Sequence, residues 1–149
     1  MGNRAEVGAR GFTLLELLVT LFLVALALAL VAPALGRTSD TVRARAEVAG
    51  FSAVLRHARE QAITTRQAHT VVVDPAAHRL TITTGDDEVR RTRALPTRLV
   101  VEAVSRDALA MRFEPHGASS GGEFRLTSGG ITYRVSVDPI TGRVRNTRE

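Results

Sequence analysis

The chain has 149 residues, room for one compact domain and an appendage. It has no cysteine, which excludes disulfides, thiolate metal sites and a cysteine nucleophile. It has no tryptophan and few other aromatics, which argues against stacking platforms for nucleic acid. The formal net charge is +5 and every basic residue is arginine, spread along the chain, so a basic patch exists only if the fold gathers it.

Residues 1–11 are polar and slightly basic, with Arg4 and Arg10. From Phe12 to Leu35 the chain is apolar, interrupted only by Thr13, Glu16, Thr20 and Pro33. A helix of that length reaches across the roughly 30 Å hydrocarbon core of a bilayer. The preceding arginines keep its start cytoplasmic and place the rest across the membrane. A secretory signal peptide, cut near Ala32-Pro33-Ala34, is the plainer alternative. Against it, the run exceeds the roughly 7–15 apolar residues of a signal peptide, and Pro33 falls inside the cleavage motif. Glu16 also puts a carboxylate where mid-membrane insertion costs about 2.5–3.5 kcal/mol, less near the interface. An acid in such a place calls for a partner.

Gly11-Phe12-Thr13-Leu14-Leu15-Glu16 resembles the processing motif of type IV pilins and type II secretion pseudopilins. The resemblance implies that a prepilin peptidase cuts between Gly11 and Phe12 and that Phe12 becomes N-methylated. It also implies that Glu16 pairs with the N-terminal amine of a neighbouring subunit during assembly. The physics agrees: an amine beside a buried carboxylate relieves two desolvation costs together. The expected organisation is a leader at 1–11, a transmembrane helix at 12–35, its soluble half at 36–67 and a β-rich periplasmic head at 68–149.

Pro33 and Gly36 punctuate the helix, and a proline supported on both sides kinks a helix rather than ending it. Helical spacing then resumes: Ala44, Val48, Phe51, Leu55, Ala58 and Ala62 form one apolar stripe, a core-facing side. From Phe12 to about Arg66 such a helix is roughly 80 Å long. His69–Asp74, Arg79–Thr84 and Val89–Ala94 read as strands, followed by residues 98–104 and 109–113. Residues 124–127 and 131–138 read as a hairpin around Ser128-Gly129-Gly130, with a last turn at Thr141-Gly142 before Arg143-Val144-Arg145. The predicted fold class is α+β, a pilin-like helix packed on an antiparallel sheet.

Residues 111–117, Ser119-Ser120-Gly121-Gly122 and residues 137–144 are similar to the minor pseudopilin H family of type II secretion and its minor-pilin relatives. Ser119-Ser120-Gly121-Gly122 lacks the lysine of a phosphate cradle and reads as a mobile loop. His57, His69, His78 and His116 lack metal-ligand spacing and read as solvated or turn histidines. Asp86-Asp87-Glu88 reads as a solvated turn rather than a calcium loop. No metal, cofactor or catalytic residue is expected.

Arg143 and Arg145 would share one side of a strand, about 7 Å apart, with Arg148 beyond. The spacing suits successive phosphates, and it resembles the arginine-bearing C-terminal element of DNA-binding minor pilins. A charged edge strand that discourages aggregation is the plainer reading. Two functions follow. One is a minor pseudopilin of type II secretion, partnered by other pseudopilins, the peptidase and the inner membrane. The other is a minor type IV pilin that binds DNA.

Overall fold

A computed structural model describes residues 12–85 and 88–149, with the backbone alone for residues 30–38, 106 and 107. The expected leader with Gly11, and Asp86-Asp87, lie outside the described residues. The element order is α1 (Leu14–Thr65), β1 (His69–Asp74), β2 (Arg79–Thr84), β3 (Val89–Ala94), β4 (Val100–Ala103), a 3-10 turn (Arg106–Leu109), β5 (Ala110–Phe113), β6 (Gly122–Ser128), β7 (Ile131–Val137) and β8 (Val144–Arg148). The chain divides into two compact units, Met1–Thr38 and Ser39–Glu149.

In the first unit Thr13 caps the helix. Its Oγ1 accepts the Glu16 backbone N–H at 3.2 Å, which satisfies one of the free donors at a helix start. Large apolar side chains point outward on every side, among them Leu14, Leu15, Leu18, Phe22 and Leu28. Thr20 donates its hydroxyl to the Leu17 carbonyl at 2.8 Å and so keeps its polarity within the helix. Among the described residues no helix is long and apolar enough to cross a membrane.

In the second unit the apolar stripe of α1 is buried as its spacing predicts, from Ala44 to Ala62. Val54 and Ser52 are buried beside it, although the stripe does not include them. The helix ends where Arg66 turns left-handed (φ 57°), the usual conformation just past a helix end. One sheet was expected, but there are two four-stranded antiparallel sheets, ordered β3-β2-β1-β5 and β4-β6-β7-β8. β4 makes the difference, because it pairs with β6 and draws the chain into a second sheet before β5 returns to β1.

Alternation sends Val71, Val73, Leu80, Ile82, Met111 and Phe113 of the first sheet into the core. From the second sheet come Phe124, Leu126, Tyr133, Val135 and Val137. Phe51 of α1 meets Phe124 edge to face, with ring centroids 5.1 Å apart. Burial of each ring contributes about 1.5–3 kcal/mol. The β6–β7 hairpin closes on Gly129-Gly130, both at positive φ (57° and 76°), as a two-residue turn that matches strand twist requires.

Two local expectations are corrected. Residues 119–122 are not a loose loop: Ser119 N–H donates to the Pro139 carbonyl at 2.9 Å, and Ser120 N–H to the Arg112 carbonyl at 2.9 Å. Gly122 already belongs to β6. His69 is buried, not solvated, because β1 turns it inward, and its Nδ1 bonds the Gln67 carbonyl at 3.0 Å.

Candidate assembly surfaces

The first surface is the start of α1. Phe12 lies just before the helix and is 81% exposed. Glu16 occupies the third helical position, one turn along, where the positive end of the helix dipole favours a carboxylate. It has no cationic partner among the described residues. An exposed helix that is apolar all round, with one acid near its start, is built to be covered by lipid or by other chains.

The second surface lies on the head, where a turn is locked to the helix. Asp138 Oδ1 accepts hydrogen bonds from the Ile140 N–H (3.0 Å), the Thr141 N–H (2.8 Å) and the Thr141 hydroxyl (2.9 Å). The bonds to Thr141, backbone first and then side chain, hold the Asp138 carboxyl below the usual aspartate range. Arg59 on α1 reaches across and donates Nε to the Thr141 carbonyl at 3.0 Å and to the Gly117 carbonyl at 3.2 Å. The turn therefore presents Ile140, 82% exposed, on a rigid base.

Other polar ties join α1 to the second sheet. Ser52 donates its hydroxyl to Asn146 Oδ1 at 2.8 Å, and Ser128 donates to the Glu47 carboxylate. Arg98 lies between Asp40 (3.7 Å) and Glu47 (3.9 Å). Near the C-terminus, Arg134 sits between Glu149 (2.6 Å) and Glu123 (2.9 Å). The hydrogen bond from Arg134, ahead of the charge of Arg125, holds the Glu149 carboxyl low. Sequence reading missed these ties, since each joins residues far apart in the chain. The one local signal was Asp138 followed by Thr141-Gly142, the composition of a side-chain-capped turn.

The three C-terminal arginines do not form one row. Arg143 precedes β8 instead of lying in it, because the turn at Gly142 has not yet released the chain. It lines a cleft with Arg56, Arg59 and Glu60 of α1. Arg145 and Arg148 are three positions apart on β8 and so point to opposite faces. Arg148 shares the face of Asn146 and lines a cleft with Thr41, Arg45 and Val48. Among the described residues no cluster of three metal-ligating side chains occurs.

An α+β head with a helix packed on antiparallel sheet, preceded by an apolar helix start bearing this motif, defines a pilin-like subunit. The model of the type II transport protein GspH matches residues 47–142, and that of the prokaryotic N-terminal methylation motif matches residues 8–32. The type II secretion system protein H of Xanthomonas campestris pv. campestris is 36% identical over 144 residues, covering 92% of this chain and 82% of its own. The chain belongs to the GspH family of type II secretion, a family of structural pseudopilin subunits. Among solved structures, the type IV minor pilin FimU of Pseudomonas aeruginosa is similar with a TM-score of 0.58 at 17% identity, covering 69% of this chain and 91% of that one. The minor pseudopilin EpsH of the Vibrio cholerae type 2 secretion system is similar with a TM-score of 0.56 at 18% identity, covering 73% and 96%. Both share the fold.

Proposed function

We propose that the chain is a minor pseudopilin, a structural subunit of the type II secretion pseudopilus that serves protein export across the outer membrane. It works by assembling with other pseudopilins and not by catalysis. A prepilin peptidase removes residues 1–11 by cutting between Gly11 and Phe12, and Phe12 is N-methylated. The apolar residues 12–35 hold the subunit in the inner membrane as a single pass, with residues 36–67 continuing the helix and residues 68–149 forming the periplasmic head.

The observation that carries this reading is Glu16, a carboxylate without a cationic partner among the described residues, on a helix start that is apolar all round. The free amine of a processed neighbour supplies the missing charge, and each charge then offsets the desolvation of the other. Mass spectrometry after co-expression with a prepilin peptidase tests it. The expected product begins with N-methylated Phe12. An intact Met1, or a mature terminus at Leu35, would overturn it. Arg145 and Arg148 face opposite sides of β8 and Arg143 lies before it, which lends the DNA-binding alternative no support.

A further inference from the structure

We propose that the outer edge of β3 takes an extended acidic segment of a partner polypeptide, which adds a strand to the first sheet and sets a carboxylate beside Arg91. The inference concerns the head alone and does not depend on the leader or on the apolar helix.

The two ends of the first sheet differ. The outer edge of β5 is covered, since Glu114 N–H donates to the Ala118 carbonyl and Ser120 N–H to the Arg112 carbonyl, both at 2.9 Å. At the other end β3 has β2 on one side and no strand on the other among the described residues. Its register pairs Arg91 with Ile82 and Arg93 with Leu80, and just beyond it Leu95 N–H donates to the His78 carbonyl at 2.7 Å. Main-chain groups alternate along an antiparallel strand. Those of Arg91 and Arg93 are therefore spent on β2, and those of Thr92 and Ala94 face outward, with no partner among the described residues. The register shift lies at the other end, near Val89, so the stretch from Arg91 to Ala94 is regular.

The side chains suit an acidic guest. Arg91 and Arg93 share the face of their buried partners Ile82 and Leu80 and so turn toward α1. Arg93 is committed there, donating Nη1 to the Gly50 carbonyl at 3.2 Å. Arg91 has no hydrogen-bond or ion-pair partner among the described residues. It lines a cleft of about 390 Å³ with His57, Gln61 and Thr84, all of which offer polar groups. Among the described residues of the two strands and their flanks, Glu88 pairs with Arg90 at 3.1 Å and Asp74 with Arg79 at 3.5 Å. An edge that charge merely protects would hold its arginines out along the rim. Here Arg91 turns in over a cleft, and the free main chain is flanked by the small residues Thr92 and Ala94. Strand addition draws affinity from the main chain and specificity from side-chain pockets, and this edge has both.

The test uses the full chain in nonionic detergent micelles and a short fluorescent peptide alternating Thr and Glu, with an alternating Thr and Lys peptide beside it. The Glu peptide is expected to bind saturably and the Lys peptide not. Arg91→Gln removes a charge that supports no contact in the fold and should weaken binding about tenfold. Thr92→Pro removes an outward N–H without touching the bonds to β2 and should weaken binding at least as much, with an unchanged circular dichroism melt. No saturable binding, equal binding of both peptides, or an unaffected Arg91→Gln variant overturns the proposal. Loss with Arg91→Gln but not with Thr92→Pro also overturns it, since an arginine attracting any anion needs no added strand. Displacement of the peptide by a short DNA duplex carrying the same charge has the same meaning.

Discussion

A Cβ on Gly142 would collide with the carbonyl oxygen of Gly117, and it would lie 2.9 Å from Arg59 Nε. The backbone of Gly142 is also left-handed (φ 62°), so this position needs glycine twice over. Gly142→Ala is expected to destabilise the head by about 2 kcal/mol or more, because it adds a steric clash to an unfavourable φ. Thermal unfolding followed by circular dichroism measures this. Arg59→Ala, which removes two hydrogen bonds from the same junction, should also lower the melting temperature, without the backbone strain.

Asp138 and Glu149 both have carboxyls held below their usual range by hydrogen bonds made in the fold. Groups of this kind stabilise the folded state fully above their unfolded pKa and lose that contribution as pH falls through the folded value. The head should therefore lose stability below about pH 4. Asp138→Asn should flatten that acid limb and lower stability at neutral pH, and a series of melts against pH reads both effects. An acid limb unchanged in Asp138→Asn would remove this carboxylate from the account.

Phe51→Ala should cost about 3–5 kcal/mol, since it opens a void against Phe124 at the meeting of helix and second sheet. Phe51→Leu, which retains much of the volume, should cost less. Chemical unfolding with urea distinguishes the two.

Glu16→Leu should leave membrane insertion intact or improve it, because an expensive charge is removed. Copurification with partner pseudopilins and secretion by the assembled system should fail. Glu16→Asp, which keeps the charge on a shorter arm, should restore part of the output.

Arg143→Gln combined with Arg145→Gln should leave both secretion and partner binding unchanged. Neither side chain makes a side-chain hydrogen bond or ion pair among the described residues, the charge of Arg145 adds only a minor part of what holds the Asp138 carboxyl low, and Arg145 and Arg148 face opposite sides of β8. A measurement of DNA affinity against salt makes the point directly. A row of phosphate ligands would flatten the slope by about two contacts in the double variant, whereas scattered arginines flatten it less.

Much of this protein was legible in the sequence because local physics decides it. The alternating four- and three-residue spacing of small and large apolar side chains from Ala44 to Ala62 is a periodic signal that needs no tertiary information. The strands were legible for the same reason. Leu80 and Ile82 alternate with Arg79, Thr81 and Thr83, Val71 to Val73 form a β-branched run, and Gly129-Gly130 names its own turn.

What only the tertiary structure decided is where distant segments meet. Nothing local to Val100–Ala103 says that it pairs with β6 and so divides the strands into two sheets. Nothing local to Arg59 says that it holds Gly117 and Thr141, which lie 58 and 82 residues away. The same holds for Arg143, which the Asp138–Gly142 turn leaves one residue before β8 begins at Val144. Periodicity records which side of an element is buried, because that depends on neighbours three or four residues away. It does not record what covers that side, because strand partners and hydrogen-bond acceptors are chosen by the whole chain as it closes around its core.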